Sequence, residues 1–362
     1  MTRPVGRICR PAPLWHAGRR VVVVGLIVVL VLVLVLPLGV KIVENNLEIF
    51  LFIMGVLAAL ISQALNVDLL VSIAQNEFIY MITAAVLVAG FVFKYVKHHV
   101  RRGVGVLVQK IHTPLFIFLL IVVLGFLSSL VTAIIAALLL VEVVRVMPLT
   151  RQAKVRLTIV ACFSIGLGAV LTPVGEPLAT VVTSRLHGGF WYLASLLSGD
   201  ILVGIVLLGV FGAVLCGRGG AKIEVDLVGE SPDESVKDIV VRAAKILLFV
   251  IALELLGAGF KPMIDNYVIQ LDSQILFWIN MVSAILDNAT LASAEISAAM
   301  SVAQIRAILL GLLISGGMLI PGNIPNIISA HQLKISSRDW AKLGVPVGLV
   351  LMAGFFVVLF VV

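Results

Sequence analysis

Gly168-Ala-Val-Leu-Thr-Pro-Val-Gly-Glu-Pro177 and Gly316-Gly-Met-Leu-Ile-Pro-Gly-Asn-Ile-Pro325 are the stretches on which the reading of this chain turns. They align without a gap and keep Gly, Leu, Pro and Pro in register. Each interrupts a long apolar run, Leu157 to Ser184 in one case and Ile305 to Ser329 in the other. Proline removes a backbone donor and glycine weakens a helix, so each run is expected to be a broken helix. One such break reads as a kink; two in register read as a repeat.

Composition fixes the environment of these breaks. The 362 residues are 61% hydrophobic and only 12% charged, whereas soluble domains are roughly 45–50% apolar and ~25% charged. A water-soluble protein is excluded, and the length suits about ten spans of ~20 residues. The net charge of +7 lies between apolar runs, where the positive-inside rule expects it, so it does not point to nucleic acid. Cys9, Cys162 and Cys216 lack metal-ligand spacing and predict neither zinc nor a disulfide framework.

Apolar runs fall at Val21–Val40, Leu47–Leu65, Phe78–Val96, Pro114–Met147, Leu157–Ser184, Trp191–Leu215, Ile239–Ala258, Ile275–Met300, Ile305–Ser329 and Leu343–Val362. The first is too long for a signal-peptide core and lacks a cleavage site, so it is read as a retained span. Pro114–Met147 is too long for one span and too short for two, and holds Ser128, Ser129 and Thr132 at its centre. A weaker offset places Ser129 on Ser283.

The expected architecture is an all-α polytopic membrane protein with two inverted repeats, each carrying a re-entrant helical hairpin and a discontinuous transmembrane helix. Its parts are a tail at 1–20, N-terminal helices at 21–77, a first repeat at 78–215, a cytoplasmic linker at 216–238 and a second repeat at 239–362. Each unit crosses three times, and an odd count forces the second copy upside down. Lys94, Lys97, Arg101, Arg102 and Lys110 precede the first hairpin, and Arg145, Arg151, Lys154 and Arg156 follow it. Both flanks are therefore expected inside, as are the linker and the segment with Lys334, Arg338 and Lys342. The loop with Asp68 and Glu77 falls outside. So does the arginine-bearing tail, against the rule.

Backbone that leaves a helix at membrane depth needs a packed or polar cavity, because lipid offers no hydrogen-bond partner. The two breaks are thus expected to face one chamber, where half-helix ends supply partial charges. Asp287 lies in Ser283-Ala-Ile-Leu-Asp-Asn-Ala-Thr290, apolar on both sides. A carboxylate there costs at least ~2.5–3.5 kcal/mol on insertion scales, which marks it as functional, while Asn288 and Thr290 also fit a helix cap. Glu176, Gly175 and Thr172 belong to the first break, and Asn323 and Asn326 to the second. With Ser129, Thr132 and Ser283 they form an oxygen-rich candidate ion site, sodium being assigned to Asp287, Asn288 and Asn323. The competing readings are that Glu176 caps Pro177–Ser184 and that Asn326 satisfies freed backbone. Glu295, two turns beyond Asp287, is a candidate proton relay. Glu142, three residues from Arg145, and Glu254, near the outer end of its span, read as acids held in a salt bridge or snorkelling at an interface. His98, His99 and His112 read as solvated.

At these residues the chain resembles the ion transporter superfamily of NhaD-type sodium/proton antiporters, arsenite permeases and divalent-anion/sodium symporters. Val43-Glu-Asn-Asn-Leu-Glu-Ile-Phe-Leu-Phe-Ile-Met-Gly55 more narrowly resembles the DUF1646 branch of predicted cation transporters. The resemblance implies a multi-pass inner-membrane carrier, not an enzyme, with a scaffold domain able to form a homodimer and a transport domain with two opposed hairpins. Where that superfamily often has Asp-Asn in the first hairpin too, this chain has Thr132-Ala-Ile134. No Ser-Asn-Thr carboxylate signature occurs, which argues against di- and tricarboxylates.

The leading expectation is cation/proton antiport, with sodium as the cation, no resident cofactor, and Asp287 as the exchanging carboxylate. The alternative is an oxyanion or arsenite carrier on the same fold. A remote alternative, an intramembrane aspartyl protease, has only Ser198-Gly-Asp200 behind it. No nucleotide-binding glycine loop supports an ATP-driven pump.

Overall fold

The computed structural model describes residues 14–40, 42–43, 46–217 and 235–361. Most of the expected tail, most of the expected linker, Glu44-Asn45 of the N-terminal motif and the side chains of the basic stretch 96–110 lie outside the described residues.

Among the described residues the chain is all-helical, with no strand. The order is α1 (Leu14–Gly39), α2 (Leu47–Ile61), α3 (Val67–Ala74), α4 (Glu77–Lys110), α5 (Thr113–Val131), α6 (Ala133–Val146), α7 (Arg151–Ala169), α8 (Pro177–Arg185) and α9 (Tyr192–Gly217). Then come α10 (Val236–Met263), α11 (Ser273–Ile279), α12 (Asn288–Glu295), α13 (Val302–Gly316), α14 (Ile324–Gln332) and α15 (Ser337–Phe360). Four stretches, Val67–Val92, Thr113–Val131, Tyr192–Gly217 and Ser337–Phe360, are long and apolar enough to cross a membrane. The molecule is therefore a helical membrane protein.

Polar caps decide where the long helices begin. Thr150 accepts from the Ala153 amide at the start of α7, and Ser235 with Asp238 forms a capping box on α10. Ser301 with Gln304 does the same on α13. Each satisfies donors that a helix start would otherwise leave open.

The interrupted runs break where glycine, proline and small polar residues cluster. Pro114–Met147 divides at Thr132 into α5 and α6. The two aligned breaks separate α7 from α8 and α13 from α14. Ile275–Met300 departs from a simple pair of helical arms. Its first arm is α11 followed by a 3-10 turn at Asn280–Ala284, and after α12 the chain runs non-helically from Ile296 to Ser301.

The same packing scheme occurs twice. α5 lies on α7 and α9, and α11 lies on α13 and α15. α4 packs on α6 as α10 packs on α12, and α4 and α10 pack on each other. Across the two parts, α6 meets α14 and α12 meets α8. Outside this scheme, α2 packs closely on α10 through small residues. A Cβ on Gly55 would meet the Ala252 carbonyl oxygen at 2.8 Å, and one on Gly259 would meet the Ala59 nitrogen at 2.8 Å. Such small-residue contacts let helices approach where lipid removes the hydrophobic drive to associate.

Candidate functional site

The junction of α5 and α6 is tied to the first break, and the segment between α11 and α12 packs on the second. In the first, the Thr172 hydroxyl donates to the Ser129 carbonyl, and the Ala133 amide donates to the Gly175 carbonyl at 2.8 Å. The Ser128 hydroxyl donates to the Ile165 carbonyl and the Ser164 hydroxyl to the Ile121 carbonyl, both at 2.9 Å. In the second, the Ser315 hydroxyl donates to the Asn280 carbonyl at 2.8 Å, and Gly322 packs against the Ser283 carbonyl. These bonds place backbone groups freed by the breaks against the hairpins, as membrane burial requires.

The helices that leave the tips and breaks begin alike in pairs. Thr132 caps α6 by accepting from the Ile135 amide at 3.4 Å, and Asp287 caps α12 by accepting from the Thr290 amide at 2.9 Å. Thr132 does so at φ 83°, a left-handed conformation that is strained for a β-branched residue. At the breaks, Glu176 precedes α8 with φ −157° and ψ 161°, and Asn323 precedes α14 with φ −153° and ψ 145°. Neither side chain caps its helix. Glu176 thus occupies the cap position expected from the sequence without making the cap bond, and its carboxylate is left for other partners.

A cavity of about 10 Å³ lies where these pieces meet. It is lined by Thr132, Gly175, Glu176 and Asn323, together with apolar side chains of α4, α6, α10 and α14. That space is close to the minimum for one water. Oε1 of Glu176 is buried and has no hydrogen-bond partner. Asn323 is 2% exposed, and its amide nitrogen would lie 2.6 Å from a Cβ on Gly166. Asn326 donates to the Gly316 and Leu319 carbonyls at 2.8 and 2.9 Å, as the backbone-satisfying reading expects, yet its Oδ1 is unpartnered.

Asp287 does not line this cavity. It is half-buried, and its carboxylate also accepts from the Thr290 hydroxyl at 2.9 Å. It stands within electrostatic reach of Glu176, and Asn288 lies beside Glu176 with its amide nitrogen lacking a hydrogen bond of normal geometry. The expected trio of Asp287, Asn288 and Asn323 is therefore divided: Asn323 shares the cavity with Glu176, and Asp287–Asn288 approach Glu176 from α12. Ser129 and Ser283 are buried and bond to carbonyls of their own hairpins. Glu295 ends α12 with Oε2 unpartnered, near Asn280. Asn280 is fully buried with Oδ1 unpartnered; its only sequence signal was an amide within an apolar run.

Two larger openings flank the center. One, of about 690 Å³, is lined by Glu77, Arg185, Glu254 and Lys261 among others. There Asn76 donates to Ser184 at 2.8 Å and to Glu254 at 3.1 Å. The other, of about 380 Å³, includes Arg242, His331 and Gln332. Glu142 forms the expected ion pair with Arg145 at 3.3 Å, and Asp200 pairs with Arg306 at 2.7 Å. Cys162 and Cys216 are buried and free. Among the described residues no group of His, Cys, Asp and Glu is arranged to hold a metal ion.

Broken helices and buried polar side chains around a small central space describe a helical membrane protein with a polar interior. The chain belongs to the family DUF1646, described as proteins of unknown function, whose model matches residues 23–362. No curated protein matches the chain.

Proposed function

We propose that this protein is a secondary carrier that exchanges a small cation, sodium in the leading case, for protons by alternating access across the inner membrane. In this reading residues 78–215 and 239–362 are inverted repeats, and α5–α6 and α11–α12 are re-entrant hairpins whose tips meet at mid-membrane. The recurring packing scheme and the matching backbone angles at Glu176 and Asn323 support it.

The observation that carries the proposal is a buried, unpartnered Glu176 oxygen at the central cavity, with Asp287, an acid from the other part of the chain, close enough to act on that carboxylate. Two nearby carboxylates resist ionising together unless a cation or a proton offsets their repulsion. Exchange of one for the other is then the chemistry that the pair can perform. The unpartnered oxygens of Glu176 and Asn326 are hard donors of the kind an alkali cation takes. Glu295 is assigned as a relay toward Asp287.

One feature favours the oxyanion reading: the uncapped starts of α8 and α14 present positive helix ends at the cavity. Purified protein in proteoliposomes with an interior pH dye separates the two. An imposed sodium gradient is expected to drive proton movement that Asp287→Asn or Glu176→Gln lowers about 10–100-fold, the range typical when a metal site loses a ligand-shell partner. Proton flux unchanged in both variants, with oxyanion uptake lost instead, would eliminate the cation assignment.

A further inference from the structure

The central cavity and the groove containing Arg242, His331 and Gln332 share two lining residues, Ile134 and Ile324. Their side chains stand at once against the chamber that holds Glu176 and against the open groove. On the other side, the opening with Arg185 and Glu254 is separated from Glu176 by the length of α8, nine residues or about 13 Å. The barrier is therefore one layer of side chains on one face and a half-helix on the other.

Which face is thin follows from charge. Arg145 donates to the Gln332 carbonyl and side chain at 3.1 and 2.9 Å, and Arg151 donates to the Lys334 carbonyl at 2.8 Å. The groove thus opens among the basic residues that the positive-inside rule assigns to the cytoplasm. Its polar groups lie at one end, and Leu138, Ile327 and Ile328 line it toward the isoleucines. Apolar constrictions close a pathway by excluding water, with no charged latch.

We propose that Ile134 and Ile324 form the cytoplasmic gate of the ion chamber, and that the groove beyond them is the inner exit route. The proposal rests on the carrier reading and adds the path and the residues that close it. The sequence gives these residues a matching origin. Ile324 takes the aligned place of Glu176, and Ile134 follows the cap Thr132 of the apolar hairpin tip. What looks like a degenerate half-site supplies the closure instead. Isoleucine is stiff at χ1, which suits a plug.

The test uses the full chain in inside-out vesicles, with Cys9, Cys162 and Cys216 replaced and a single cysteine introduced by Thr132→Cys. A charged, membrane-impermeant methanethiosulfonate is added from the cytoplasmic face. Labelling is expected to be at least about 10-fold faster when Ile134→Ala or Ile324→Ala is added, the factor that lowering the opening barrier by about 1.4 kcal/mol produces. Leu138→Ala, which lines only the groove, should leave the rate unchanged. Ala133→Cys serves as a second reporter should Thr132→Cys fold poorly. No acceleration from either isoleucine variant, or an equal one from Leu138→Ala, overturns the gate. Labelling is read without transport, so a gate that opens on cue in a protein without sodium-driven proton flux would refute the ion assignment alone.

Discussion

The first part of the chain carries its acid at the break and an apolar residue pair after its hairpin cap, whereas the second carries its acid at the hairpin tip and an amide at the break. Glu176 faces Ile324 in the alignment, and Thr132 holds the helix-cap place that Asp287 holds in α12. The backbone scheme is shared and the chemistry is exchanged between equivalent elements. The consequence is a chamber lined by one acid, Glu176, which Asp287 influences from outside the lining, and by the two isoleucines Ile134 and Ile324. A strictly symmetric pair of sites would have placed acids on every wall and left no apolar closure.

That comparison breaks most sharply at the aligned glycines. A Cβ on Gly168 would run into the Gly125 carbonyl, which is backbone and cannot step aside, while one on Gly316 would meet the Gly322 oxygen at 3.0 Å and Ser283 Oγ at 3.5 Å. Gly168→Ala is expected to destabilise the protein by about 1–3 kcal/mol or more through overpacking. Gly316→Ala should be close to neutral, since removing a helical glycine offsets the tighter contact by roughly 0.5–1 kcal/mol. Thermal unfolding in detergent reads both, and equal losses would mean that the two breaks are packed alike.

An effect of similar size is expected at Asn326, which satisfies backbone on two sides of the second break. Asn326→Ala leaves the Gly316 and Leu319 carbonyls without this donor, and a buried group so orphaned costs about 1–3 kcal/mol. Proteolysis should then begin near residues 316–326, and a cleavage pattern unchanged from the parent protein would contradict this role. The smallest effects belong to the hydroxyls that dock broken spans on hairpins. Ser164→Ala and Ser315→Ala should each cost about 0.6 kcal/mol, the average for such bonds between membrane helices, and should add in the double variant because the sites are independent. A double variant far worse than the sum would show coupling between the two docks.

Much of this was legible in the sequence. The register of Gly, Leu, Pro and Pro located both breaks, because those residues act on their own backbone, although α14 begins one residue earlier in that register than α8 does. The Asp287–Thr290 cap and the Glu142–Arg145 pair were equally local, each within one helical turn. What escaped depends on contacts distant in sequence. Asn280 has no periodic signature, and its meeting with Ser315 is a product of packing. The closeness of Asn323 to Gly166 and the Asn76–Glu254 bond are of the same kind. That Glu176 and not Asp287 lines the cavity beside Asn323 is a product of packing too, set by where α8 begins.

The handshake between α6 and α14, and between α8 and α12, bears on how the protein is made. When the ribosome has finished α8, neither α12 nor α14 yet exists. Glu176 has Thr132 and the residues of α4 and α6 beside it by then, but must wait for Asn323 and Asp287, and contacts so distant in sequence close late. A chain truncated after α9 would therefore lack α10, α12 and α14, which supply the remaining neighbours of that acid. The pocket can close only once α14 has been made.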